Sequence, residues 1–268
     1  MSTSKSCFVY MHIPKAGGLT VHSVLEKIYP RNKRFATKGM WHGNQDLLST
    51  GEEDRRAIQC LHGHLSFGIH DRIMCEYPAY SAVFREPISR VKSAYYNILN
   101  DPTHFLYSTF KSYAKGISGI HETKIWKGLD NCQVRMLSNT LNLPYGEIGE
   151  VQFQQAKLVL EKHFKLIGTM PNIDVFIVRL CQYHNFPIPK YRILHRSGKA
   201  SVTANYSDSD ELIIADMNKW DAKLYRLALE LEELQISKQL SELKELTAAY
   251  RKNTDWWWNI KSVLSKRG

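Results

Sequence analysis

The stretch from residue 10 to 25, YMHIPKAGGLTVHSVL, constrains the fold of this chain more than any other. The residues leading into it, CFVYMHI (7–13), form an unbroken apolar run, as a strand buried on both faces requires. Pro14, Gly17 and Gly18 break the run, and Val21, Val24, Leu25 and Ile28 then recur at helical spacing until Pro30. A strand, a short glycine loop and a helix in that order leave backbone N–H groups free at a helix N-terminus, where an anion is readily held. The nucleotide-kinase pattern GxxxxGK[ST] is absent, because Lys15 precedes the glycines.

The rest of the chain reads as strands alternating with helices. Ala57–Leu61 reads as a short strand ending at His62-Gly63-His64, Tyr80–Phe84 as a third strand and Phe164–Gly168 as a fourth. Helices are predicted from Pro87 to about Asn100, over Asp130–Leu141, Val151–His163 and Ile173–His184. Asp208 to about Lys252 reads as one long helix or two. It carries a heptad-like stripe from Ile213 to Leu234 that suits packing on a core better than a coiled coil. Residues 31–56 read as loop with a helix starting near Asn44, 101–123 as a mobile excursion, and 195–207 as a polar basic loop. This alternation implies an α/β fold, a three-layer sandwich whose mainly parallel sheet is flanked by helices, with a long C-terminal helical segment. At 268 residues and 43% hydrophobic content, one domain over 1–268 is expected. Its core would span about 7–230, with a helical extension over about 231–268.

Composition narrows the compartment and the partner. No run of about 18 apolar residues is present, and the N-terminal apolar stretch is too short for a signal peptide, so a cytoplasmic protein is expected. Five scattered cysteines with no CxxC argue against a zinc site or redox pair. They read as small apolar residues in a reducing compartment. A net charge of +10 favours an anionic partner, although the charge is spread along the chain and solubility alone accounts for it.

Three constellations can carry chemistry. In the loop, the amides of Ala16, Gly17, Gly18, Leu19 and Thr20 would wrap a phosphate or sulfate, with Lys15 adding charge and Thr20 a hydroxyl; the plain alternative is an ordinary turn with a solvated lysine. Arg85 sits at the tip of a predicted strand, where open α/β sheets bind ligands, and Ser93 follows two helical turns later. Together they suit a second phosphate, or are simply surface residues at a helix start. His62 and His64 would point the same way from an extended segment. Either suits a general base, a structural histidine or, least well, half of a metal site.

Taken together, these segments resemble the sulfotransferases that use 3′-phosphoadenosine 5′-phosphosulfate, especially the branch of the heparan sulfate 2-O- and 6-O-sulfotransferases and their bacterial relatives. HIPKAGG (12–18) is similar to the family's 5′-phosphosulfate loop and LHGHLSFG (61–68) to its base-bearing segment. FREPISRVKSAYY (84–96) resembles its 3′-phosphate motif, DNCQVRMLSN (130–139) a stretch after it, and HRSGKAS (195–201), more weakly, its late nucleotide loop. Ala16 stands where the family often has threonine, and Glu86 where aspartate is frequent. The animal relatives carry a membrane anchor; this chain shows none, which implies a soluble enzyme of microbial type.

The resemblance implies transfer of a sulfuryl group to an acceptor hydroxyl, foremost on a saccharide, or to a small-molecule alcohol or amine, leaving 3′,5′-ADP. His64 would be the base, with His62 as the alternative. Lys15 would stabilise the bridging oxygen, Arg85 and Ser93 would hold the 3′-phosphate, and Ser197, Gly198 and Lys199 would close over the nucleotide. No metal is implied. Arg135 would position donor or acceptor, or form a structural salt bridge.

Two other classes stay open: a nucleotide kinase, which lacks its motif and an aspartate-ended apolar run, and a non-enzymatic binder of anionic ligands. No nucleic-acid-binding motif is visible. The tail around Trp256-Trp257-Trp258 would dock on the core, form a homodimer contact or anchor peripherally at a membrane interface.

Overall fold

A computed structural model describes residues 5–37, 45–112, 116–124, 126–189, 207–238 and 243–249. Five strands, β1 (Ser6–Met11), β2 (Arg34–Thr37), β3 (Cys60–Gly63), β4 (Tyr77–Phe84) and β5 (Phe164–Thr169), form one sheet in the order β2-β3-β1-β4-β5, parallel throughout. The helices in chain order are α1 (Gly18–Ile28), α2 (Gln45–Leu48), α3 (Glu52–Ala57), α4 (Pro87–Leu99), α5 (Tyr107–Ser112), α6 (Gly116–Thr123), α7 (Cys132–Leu137), α8 (Glu150–His163), α9 (Ile173–Tyr183), α10 (Asp208–Met217) and α11 (Lys219–Ser237).

Alternation along the strands divides the core. Phe8, Tyr10 and Cys60 pack toward Val21, Val24 and Leu25 of α1 and Phe176 and Ile177 of α9. Cys7, Val9, Met11 and Leu61 pack toward α7, α8 and α11, through Met136, Leu160 and Leu224. The expected three-layer α/β sandwich results, because a parallel sheet must bury both faces. Helices α4, α5, α6 and α10 close a smaller cluster around Val91, Phe110, Ile120 and Ile214.

The free edge of β5 is covered by α11. Gln235 accepts from the Ile167 amide at 3.1 Å, and buried Glu232 accepts from the Thr169 amide at 2.9 Å and its hydroxyl at 2.6 Å. Side chains thus satisfy backbone donors that would otherwise offer a template for another strand.

Several expectations change. Residues 31–56 are not all loop: Arg34–Thr37 is the edge strand β2, whose four residues bury only Thr37 and so carry no apolar run. The second predicted strand lies at Cys60–Gly63, about three residues later than read. The 101–123 excursion contains the helices α5 and α6. The helix read over Asp130–Leu141 is only the short α7, since Asn131 adopts a left-handed φ of 44° and its side chain accepts from the amides of Trp220 and Asp221, both at 3.0 Å. Of the two readings of the C-terminal helical segment, one helix or two, two is found: α10 and α11 meet at Asn218, whose side-chain amide donates to the carbonyls of Leu129 and Ile214. Of the stripe, Met217 and Leu224 are buried in the core, Ile213, Trp220, Leu227 and Leu231 pack against it, and Leu234 is exposed.

The cysteine reading is overturned in one respect. Cys7 and Cys75 form a disulfide, with Cα atoms 6.1 Å apart, while Cys60, Cys132 and Cys181 are free and buried. β1 and β4 run in parallel with Cys7 opposite Pro78, so the segment entering β4 passes beside the start of β1. A separation of 68 residues hides this in the sequence. The argument for a reducing compartment from five free thiols no longer stands. No helix among the described residues is long and apolar enough to cross a membrane. Ser197, Gly198, Lys199 and the tryptophan tail lie outside the described residues.

Candidate functional site

The motifs meet at the carboxyl edge of the sheet, around the junction of β1 and β4. There the chain leaves β1 toward β3 and β2 on one side, and β4 toward β5 on the other. Such a reversal opens a crevice beyond the strand ends.

The loop between β1 and α1 turns through two left-handed residues, Lys15 at φ 66° and Gly17 at φ 72°. A lysine in that conformation is uncommon and marks a constrained turn. The Ala16 amide donates to Ile13 O at 3.2 Å and the Thr20 amide to Gly17 O at 3.1 Å, so both are engaged within the loop. The intervening amides of Gly17, Gly18 and Leu19 open the helix, where no intrahelical acceptor is available to them. Thr20 is buried. A Cβ on Gly17 would lie 2.4 Å from Ile173 Cδ1, so the start of α9 presses the loop into place.

Two cations converge there. Arg85, one residue beyond β4, donates from Nη1 to the Lys15 carbonyl at 2.7 Å. Gln133 of α7 fixes the Arg85 backbone from both sides, accepting from its amide at 3.1 Å and donating to its carbonyl at 3.0 Å. Burial, then the neighbouring Arg85 charge, lowers the Lys15 pKa from its usual value; burial and Arg90 do the same to Arg85. Two like charges held together at a helix N-terminus form a place suited to an oxyanion. Lys15 Nζ donates to Asn97 Oδ1 on α4 at 2.9 Å. Ser93 stands one turn before Asn97, so it shares the α4 face that meets the lysine. Glu86 caps α4, accepting from the amides of Ile88 at 2.9 Å and Ser89 at 2.7 Å. The aspartate-to-glutamate departure therefore keeps a helix cap.

The other part is a cluster of four imidazoles, His64, His12, His22 and His62. Successive ring centroids lie 4.4, 4.7 and 4.6 Å apart. His64 Nδ1 donates to the His12 carbonyl at 2.8 Å, since a carbonyl only accepts; the neutral ring therefore keeps its lone pair on Nε2. His64 is partly exposed, whereas His62 is 1% exposed, opposite Tyr10 in the sheet and beneath His22. Gly63 adopts φ 137°, and a Cβ on it would meet Thr37 Oγ1 at 2.4 Å. The glycine between the two histidines is thus imposed by β2. Burial lowers every ring of the cluster: His62 to about 4, His22 to about 3, and His12 and His64 below the usual histidine value. In His64 the hydrogen bond to His12 opposes that shift. Among the described residues no group of histidine, cysteine or carboxylate side chains has metal-holding geometry.

The structure therefore brings together Lys15 to Thr20 and Arg85 at one edge, and His62 and His64 with two histidines that sequence reasoning left unassigned. His12 and His22 offered a signal, since both sit inside the opening motif; only the fold shows that they meet the other two. Arg135 is structural. It is fully buried, ion-paired with Asp130, and donates to the carbonyls of Leu143 at 2.7 Å and Pro144 at 2.8 Å.

Comparison with known proteins gives little. No family model and no curated protein matches the sequence. Among solved structures, mouse sulfotransferase SULT7A1 complexed with PAP is similar at TM-score 0.38 and 12% identity, over 83% of this chain and 67% of that one.

Proposed function

We propose that this protein is a sulfotransferase that moves a sulfuryl group from 3′-phosphoadenosine 5′-phosphosulfate to an acceptor hydroxyl, foremost on a saccharide. The observation that carries this reading is the bond from Arg85 to the Lys15 carbonyl and, at the same edge of the sheet, a histidine, His64, whose lone pair is held on Nε2. The first pair suits a donor with two separated phosphate groups; the histidine suits deprotonation of an alcohol. The motif resemblance supplies the order of parts.

In-line sulfuryl transfer requires little covalent work from the protein and much positioning and charge stabilisation. The first-turn amides of α1 are the ligands for the 5′-phosphate, and Arg85 with Ser93 for the 3′-phosphate. His64 Nε2 accepts the acceptor proton as the new oxygen–sulfur bond forms. Lys15 faces the bridging oxygen, where negative charge grows as the sulfur–oxygen bond breaks. For this it must leave Asn97. His62 is the weaker candidate for base, because it is sealed under α1.

The test is incubation of the purified protein with radiolabelled donor and a cell extract as acceptor source, with product analysis by chromatography. Donor-dependent transfer of label, lost in Lys15→Ala, is the expected result. Thermal stabilisation by ATP but not by 3′,5′-ADP, with no label transferred, would sink the proposal.

A further inference from the structure

We propose that His12 is the positioning residue of the base: its ring, packed flat on His64, keeps the His64 imidazole on the His12 carbonyl and hence in one tautomer. This rests on His64 acting as base in the reaction above. A neutral imidazole has two tautomers, and only the one protonated at Nδ1 offers a lone pair at Nε2. A single hydrogen bond at a partly exposed site does not by itself stop the ring from turning away. Here the bond at 2.8 Å is joined by a stacked contact, with centroids 4.4 Å and planes 25° apart. His12 cannot drift, because its amide donates to the Gly63 carbonyl at 2.8 Å and the His22 ring meets it edge-on at 4.7 Å, 81°.

Gly18 points to the same role. A Cβ there would lie 1.9 Å from His12 Cδ2 and Nε2, so the ring occupies the space that any other residue at Gly18 would fill. Gly18 is also the first residue of α1, where glycine is a poor helix former. The glycine of the anion loop thus makes room for the support of the base, and the two parts of the site share one packing constraint.

The experiment compares His12→Ala, His12→Phe and Gly18→Ala. In His12→Ala, ¹H–¹⁵N correlation of the His64 ring should show the Nε2-protonated tautomer growing in. Turnover should fall by about 10-fold, less than the roughly 100-fold or greater loss that removing a general base causes, while 3′,5′-ADP binding stays near wild type. His12→Phe should restore the wild-type tautomer and most of the turnover, since it keeps the flat contact. Gly18→Ala should lower the melting temperature in the wild-type background and much less in His12→Ala.

An unchanged His64 tautomer in His12→Ala overturns the proposal. So does a His12→Phe variant as impaired as His12→Ala, or loss of 3′,5′-ADP binding in step with turnover. The tautomer readout needs no substrate. A wild-type protein that binds no 3′,5′-ADP and transfers no label would defeat the sulfotransferase reading, while a tautomer change in His12→Ala would still support positioning.

Discussion

The carbonyl oxygen of His12 accepts a hydrogen bond from His64 Nδ1 at 2.8 Å, across 52 residues of sequence. The bond joins the end of β1 to the segment leaving β3, and it selects which ring nitrogen faces outward. His64 thereby differs from His62, two residues away, whose ring lies inside the α1 face of the sheet.

That difference predicts unequal variants. His64→Ala should lose at least about 100-fold in turnover, the usual scale for a general base. His62→Phe should keep most of its turnover per folded molecule. If single-turnover assays show the reverse, the base is His62. The acid limb of kcat/KM should lie below the ordinary histidine value of 6.5, because burial lowers the His64 pKa.

Lys15 and Arg85 should fail in different ways. Lys15→Ala should cost at least about 100-fold in turnover with modest change in donor binding, as for loss of an oxyanion stabiliser. Arg85→Ala should mainly weaken 3′,5′-ADP binding, read by calorimetry. Gln133→Leu removes both anchors of the Arg85 backbone and should weaken the same binding without touching the ligand.

Stability should fall in acid. His62, His22 and His184 titrate near 4, 3 and 4 in the fold, against 6.5 in the unfolded chain. Between those values the unfolded chain binds more protons, so unfolding free energy falls as pH drops below about 6.5 and levels off toward about 3. Denaturant titrations across this range should show that slope, and His62→Phe should reduce it by about one proton in the upper part of the window. A flat profile from 7 to 4 would contradict the neutral, buried cluster.

Thiol titration under denaturing, non-reducing conditions should find three reactive cysteines of five, and five after reduction. Closing a loop of this length stabilises a domain by about 4 kcal/mol in the chain-entropy account. Cys7→Ser with Cys75→Ser should therefore lower the melting temperature and leave donor binding intact, because the disulfide lies at the edge of the sheet opposite the site.

The local pattern of the chain was enough for β1, the glycine loop, α1, α4, α8 and α9. Their apolar spacing and their Pro and Gly stops are properties of neighbouring residues, which a sequence displays directly. It also placed Lys15, Arg85 and the HGH segment at loop or strand ends. β2 was hidden because an edge strand with one buried residue has no apolar signature. The place of the break at Asn218 and the shortness of α7 were hidden because Asn131, Asn218 and Asp221 are ordinary polar residues until they meet; Asp221 caps α7, accepting from the Val134 amide at 2.8 Å. The sequence by itself determined that a glycine loop between a strand and a helix opens this fold, and it offered His62 and His64 as candidate bases. Only the tertiary structure set a buried His62 apart from a partly exposed His64, brought His12 and His22 against them, and paired Cys7 with Cys75. Those outcomes depend on which side chains the parallel register brings together from segments that are 40 (His22 and His62), 52 (His12 and His64) and 68 (Cys7 and Cys75) residues apart, and local spacing carries no record of that distance.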